Sequence, residues 1–242
     1  MQNQSISSPP AKPSFSTKPN ILLIMVDQQR YPTVYDTEEL RAWQKEYLKA
    51  QTILAKHGFT FKNHYTGSTA CCPSRATIYT GQYPSLHGVT QTVGAAKGPY
   101  DPDVFWLDPS TVPTMGDYFR TAGYQTYWKG KWHVSAADIL IPGTKNAYLT
   151  YNPDNGVPIP SDEERYIKAN VLTAFGFDGW VGPEPHGANP RNSGSSAATG
   201  VSGRDPVYAE QTVALIQKLD QEYRKKEGQP VKPWFNVSSF VN

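Results

Sequence analysis

Residues Asn20 to Val26 read Asn-Ile-Leu-Leu-Ile-Met-Val, an almost unbroken apolar run that stops at Asp27-Gln28-Gln29. A short run of this kind, closed by polar residues, predicts a strand buried on both faces. Such a strand needs a layer on each side. The segments that follow can supply those layers. Asp36 and Glu39 have capping-box spacing, and Leu40, Trp43, Tyr47, Leu48 and Leu54 then recur at helical spacing up to Gly58. Phe59 to Tyr65 alternates as a strand does. Thr111 to Ala122, closed by Gly123, predicts a helix, and Tyr124 to Trp128 a strand. Asp205-Pro206 opens a longer helix with Tyr208, Thr212, Leu215, Leu219 and Tyr223 on one face. Arg224, Lys225 and Lys226 fill its last turn before Gly228. Trp234 to Val241 reads as a final strand. Strands alternating with helices imply an α/β fold, with a mostly parallel, mixed central sheet flanked by helices on both faces.

The chain has 242 residues, enough for one sizeable α/β domain. Residues 1–19 are rich in Ser, Pro and Lys and read as a disordered leader without the apolar core of a secretory signal, so either a cytoplasmic location or a signal already removed is expected. Residues 135–206 read as loop-rich, and Arg191 to Gly203 is poorest in core residues. The 23 basic and 21 acidic residues are interspersed, which argues against a nucleic-acid partner. No apolar run approaches the ~20 residues of a membrane span, so no membrane partner is expected. The two cysteines, Cys71 and Cys72, are adjacent, which rules out a disulfide framework and zinc-type spacing.

Those cysteines open the densest motif of the chain, Cys71-Cys72-Pro73-Ser74-Arg75-Ala76-Thr77-Ile78-Tyr79-Thr80-Gly81. Pro favours the first helical position and Gly the position past a helix end, so Pro73 and Gly81 bracket a short helix, Ser74 to Thr80. Cys71 and Cys72 then sit at its entrance, where free N–H groups and the helix dipole favour an anion. Arg75, within about one turn of Cys71, adds a fixed positive fork. A nucleophile so placed suits a sulfate or phosphate ester.

Two further segments carry chemistry. Asp27 ends the first apolar run, at the sheet edge where open α/β folds bind their ligands, and is a natural ligand for a hard cation. In Gly130-Lys131-Trp132-His133, Lys131 and His133 are two residues apart, and an extended backbone would turn both to one face. Lys129 reads as a surface residue outside this group. His57, His64, His87 and His186 show no partner pattern, and His87 reads as structural support for the motif.

The Cys71–Gly81 run fits C-x-P-S-R-x-x-x-x-T-G at every fixed position and resembles the sulfatase signature. The Asp27-Gln28 pair and the Gly130–His133 run are similar to the segments that accompany that signature. The resemblance implies an alkaline phosphatase/sulfatase-like fold and a sulfuric ester hydrolase. Cys71 would become formylglycine through a formylglycine-generating maturation enzyme. Arg75, Lys131 and His133 would act at the ester, and Asp27, Gln28 and residue 71 would bind a divalent cation, Ca2+ first, with Mg2+ or Mn2+ as alternatives. The family commonly has a second acid where Gln28 stands, which blurs the substrate class. The expected partner is a small-molecule or glycan sulfate ester. Two alternatives stay open: a phosphonate or phosphate ester hydrolase on the same scaffold, and a non-catalytic anion- or glycan-binding fragment. Family members are longer, so residues 20–242 are expected to be the N-terminal part of a truncated catalytic domain whose other ligands lie beyond residue 242.

Overall fold

The computed structural model describes residues 18–29, 33–94, 97–154, 156–184, 203–225 and 231–241. Most of the expected leader, His186, nearly all of the 191–203 stretch, Lys226 and Gly228 lie outside those residues.

Three parallel strands make the sheet: β1 (Ile21–Met25), β2 (Gln125–Gly130) and β3 (Trp234–Ser239), in the order β1-β3-β2. Ile21 pairs with Phe235, and Gln125 with Trp234, so the carboxyl ends of all three strands reach one edge. The most apolar strand is not the central one. Ile21, Leu23 and Met25 of β1 pack on the core, while Leu22 and Ile24 are exposed. The expectation of burial on both faces therefore fails for β1, which alternates as an edge strand. The centre is β3, and its buried polar side chains bond through Asn236 Nδ2, Ser238 Oγ and Ser239 Oγ, while Asn236 Oδ1 has no partner among the described residues. Ser238 Oγ bonds Thr212 Oγ1 at 2.8 Å and accepts from Asn236 Nδ2 at 2.9 Å.

The helices are α1 (Glu38–Tyr47), α2 (Lys49–His57), α3 (Cys71–Thr80), α4 (Pro84–His87), α5 (Met115–Thr121), α6 (Pro160–Ala169) and α7 (Arg204–Lys225). Thr37, not Asp36, caps α1, accepting from the Leu40 N–H. The expected single helix to Gly58 breaks at Leu48 into α1 and α2. Phe59 to Tyr65 forms no strand; with no neighbour to pair with, its alternation is left in exposed coil. Thr114 caps α5 in a capping box with Asp117, and α5 and α7 pack on the sheet. The 135–206 region is not all loop, since α6 and a 3-10 turn at Val171–Phe175 fall within it.

Aromatic rings fill the core between α3, β2 and the turn after α6. Tyr79 stacks on Trp132 at 5.1 Å and meets Trp128 edge-on at 4.7 Å. Phe177 lies against Trp128 at 5.0 Å. This cluster is the floor on which the residues of the strand edge rest.

Candidate functional site

The signature helix starts two residues earlier than its Pro suggests. Cys71 is its first residue, and the first intrahelical bond runs from the Ser74 N–H to the Ala70 carbonyl at 3.0 Å. Pro73 therefore stands third, which costs nothing because an N–H there has no intrahelical partner. Ala70 offers no side-chain cap, so the N–H groups of Cys71 and Cys72 are left at the helix start beside the Cys71 thiol. Gly81 ends the helix in the left-handed region at φ 68°, as its position predicts. His87 supports this helix: its Nδ1 accepts from the Val89 N–H at 3.1 Å, which leaves Nε2–H for Thr77 Oγ1 at 3.1 Å.

Asp27 lies just past β1 and binds two cations through one oxygen. Oδ2 accepts from Arg75 Nη2 at 2.7 Å and from Lys131 Nζ at 2.9 Å. Its Oδ1 is 3.9 Å from Cys71 Sγ. The side chains of Arg75 and Lys131 are 5% and 9% exposed, and that of Asp27 12%. Burial raises the Asp27 pKa, but Lys131 and Arg75 outweigh it and hold the carboxyl below its usual range. Burial opposes the Arg75 charge; Tyr79 and Asp27 more than compensate and keep it protonated. The other Arg75 donor, Nη1, reaches Tyr79 Oη at 2.9 Å, Ser239 Oγ at 2.8 Å and the Lys131 carbonyl at 3.2 Å. Arg75 therefore ties all three strand ends to α3. Burial pushes the Tyr79 hydroxyl up to about 12, so it stays a neutral partner.

The segment after β2 is not extended. Gly130 has φ 88° and His133 φ 58°, so the alternation argument for Lys131 and His133 does not apply. Gly130 is required here: a Cβ on it would collide with the Ser239 carbonyl. Lys131 is held by its N–H donating to that carbonyl at 2.8 Å and reaches Asp27; His133 is buried two residues along. Lys129 is half-buried rather than fully exposed. Its Nζ donates to the Gly179 carbonyl at 2.5 Å, and burial lowers its pKa to about 8. Gln28 follows Asp27 with an exposed side chain and a left-handed backbone, φ 43°. Sequence reasoning missed Ser239 and Tyr79. Tyr79 lies at an open position of the motif, and Ser239 carries no local signal because its role depends on a contact 164 residues away.

One carboxylate facing two buried cations and a helix start leaves the pocket with excess positive charge, which suits an anionic ester. A hard divalent cation needs six to eight oxygen ligands. Among the described residues no group of three or more His, Cys, Asp or Glu side chains could hold one. Among the described residues, the oxygen donors at this edge, Asp27 and Gln28, would fill only part of such a site. No helix among the described residues is long and apolar enough to cross a membrane.

The chain is 34% identical over 230 residues to choline-sulfatase of Rhizobium meliloti (strain 1021), covering 93% of this chain and 38% of that protein. It is 34% identical over 129 residues to the uncharacterized sulfatase YidJ of Escherichia coli (strain K12), covering 52% of this chain and 22% of that one. The chain thus spans about two-fifths or less of the length of these relatives. The crystal structure of the putative sulfatase yidJ from Bacteroides fragilis matches with a TM-score of 0.51 at 22% identity, over 97% of this chain and 45% of that one. That of Ps i-CgsB matches with a TM-score of 0.51 at 20% identity, over 92% and 44%. These structures share the fold. A family model described as Sulfatase matches residues 19–222, most of the chain. With the signature at Cys71–Gly81 and its partners gathered at the sheet edge, the chain belongs to the sulfatase family.

Proposed function

We propose that this chain carries the nucleophile-bearing part of a sulfuric ester hydrolase that works through formylglycine at position 71. One observation carries the reading: Arg75 and Lys131 converge on Asp27 Oδ2, with Cys71 Sγ 3.9 Å from the other oxygen of that carboxylate. The family works with formylglycine and a divalent metal, which supply a hydrated aldehyde as nucleophile toward sulfur and a cation for the sulfate oxygens. Asp27, with Gln28 beside it and residue 71 facing it, would hold a divalent metal, Ca2+ first, with Mg2+ or Mn2+ as alternatives.

The roles of the chain's own residues follow from their charge and placement. Arg75 and Lys131 bind and orient the non-bridging oxygens of the ester with preorganised positive charge. The aromatic floor of Tyr79 and Trp132 fixes Arg75, so little reorganisation is needed as charge develops. Asp27 helps remove the proton released at position 71 on attack, and the leaving alcohol takes its proton from a general acid, which none of these residues supplies. His133 is assigned the later proton that must leave residue 71 before sulfate is released. The backbone N–H groups of residues 71 and 72 add two fixed donors at the helix start.

Mass spectrometry of the peptide containing Cys71, after production with the maturation enzyme, tests this reading. The expected result is loss of the thiol and gain of an aldehyde that reacts with a hydrazide. An unmodified Cys71 under those conditions overturns it.

A further inference from the structure

Arg75 and Lys131 act at the strand edge as a pair, and one residue of the central strand holds both. Ser239 ends β3 and is completely buried. In register it lies beside Met25, two residues before Asp27, and beside Gly130, the residue before Lys131. Its carbonyl accepts the Lys131 N–H at 2.8 Å, and its hydroxyl accepts from Arg75 Nη1 at 2.8 Å.

The two ends of the Arg75 guanidinium have different tasks. Nη2 faces the site and donates to Asp27 Oδ2 at 2.7 Å. Nη1 faces the interior, toward Ser239 Oγ at 2.8 Å, Tyr79 Oη at 2.9 Å and the Lys131 carbonyl at 3.2 Å. A guanidinium is planar and rigid, so whatever holds Nη1 also aims Nη2. The three acceptors are not equivalent. Tyr79 belongs to α3 and moves with Arg75. The Lys131 carbonyl is the most distant of the three and also accepts from Trp128 Nε1 at 3.3 Å. Ser239 is the shortest link, and it refers Arg75 to the central strand. A terminal guanidinium nitrogen carries only a pair of hydrogens, fewer than the acceptors around Nη1. Loss of the Ser239 hydroxyl therefore strands no donor. It lets the plane turn toward Tyr79 and the Lys131 carbonyl, and Nη2 loses its aim.

We propose that Ser239 is a positioning residue for the anion. Its hydroxyl sets the roll of the Arg75 plane and its carbonyl sets Lys131 in the same frame, so that both cations address one sulfate group. The proposal rests on the sulfatase reading for the identity of the anion. Its own content is that a fully buried hydroxyl of β3 governs the aim of the signature arginine.

Ser238 supplies the control. It is 1% exposed, and its hydroxyl bonds Thr212 and Asn236 instead of Arg75. The test uses the full 242-residue chain and needs neither turnover nor aldehyde. Hydrogen exchange of the Arg75 Nη2 group is followed by NMR, and inorganic sulfate is titrated by calorimetry. In Ser239→Ala the Nη2 hydrogens should exchange about tenfold faster and sulfate should bind about tenfold more weakly, the size of one hydrogen bond to a charged donor. Ser238→Ala should change neither, even where it lowers the melting temperature. Where Ser239→Ala does not fold, Ser239→Cys, similar in volume and only a weak acceptor, carries the same expectation. Unchanged exchange or unchanged sulfate affinity in the Ser239 variant overturns the proposal. So do equal effects in Ser238→Ala, or a wild type that binds no sulfate. The Cys71 peptide measurement is independent. An aldehyde with unaltered Arg75 exchange sinks the role of Ser239 and leaves the sulfatase reading standing; freed Arg75 and weakened sulfate binding without an aldehyde do the reverse.

Discussion

Two regions fed by β1 face opposite conditions. At its carboxyl end, Asp27, Arg75 and Lys131 carry three charges and are almost completely buried. Along its outer face and on through α1 and α2, apolar groups lie in water. Neither helix has a buried residue, Trp43 is 51% exposed although it stacks on Tyr47, and Phe59 is 96% exposed. Polarity alone would predict the reverse. Burial follows partners: each charge at the strand edge has a counter-charge and hydrogen bonds, and the apolar side chains of α1 and α2 have nothing to pack against within the described residues. The strand edge is therefore expected to be rigid, and the α1–α2 layer to open easily.

The largest expected effect tests the strand edge. Cys71→Ala should remove the hydrazide-reactive aldehyde, with little change in thermal unfolding. A hydrazide-reactive group that persists in the variant would break the assignment of residue 71.

Asp27→Asn comes next. It leaves Arg75 and Lys131 buried without their counter-charge and should cost about 3 kcal/mol or more in denaturant unfolding. A loss below about 1 kcal/mol would mean that the triad is solvated like a surface pair. The same contribution can be titrated. Because the folded pKa of Asp27 is depressed, its stabilisation is present above about pH 4 and disappears as pH falls through the folded value. Wild type should lose more stability than Asp27→Asn across that acid range.

Gly130→Ala should cost about 2 kcal/mol, because it adds a Cβ against the Ser239 carbonyl at a left-handed position. An unchanged melting temperature would show that the β2–β3 edge yields more readily than its packing implies.

The smallest effect belongs to the open layer. Trp43→Ser and Phe59→Ser should each shift stability by no more than about 0.5 kcal/mol and reduce binding of a hydrophobic dye. Amide exchange would sharpen the contrast, with α1 and α2 exchanging well before α3 and β3. Equal protection would show that the two regions unfold as one unit.

Much of the local structure was legible in the sequence. The signature helix, β2, β3 and the buried stripe of α7 through Tyr208, Thr212 and Leu219 stand close to where capping and periodicity place them. Phe59 to Tyr65 shows the limit of that reasoning, since alternation makes a strand only where another strand offers hydrogen bonds. Lys129 shows it again. Nothing in its neighbourhood along the chain announces that Gly179 will close over it.

The sequence by itself determined the chemistry: a Cys at the start of a helix, an Arg one turn on, an Asp at the end of an apolar strand and a Lys after another. These are local matters of spacing, dipole and residue type. Only the tertiary structure decided which strand is central, that Arg75 spans Asp27, Ser239 and Tyr79, and that Lys129 donates to the Gly179 carbonyl. Each of those depends on contacts between segments far apart in the chain, and burial and pairing are properties of assembled neighbours that no single segment encodes.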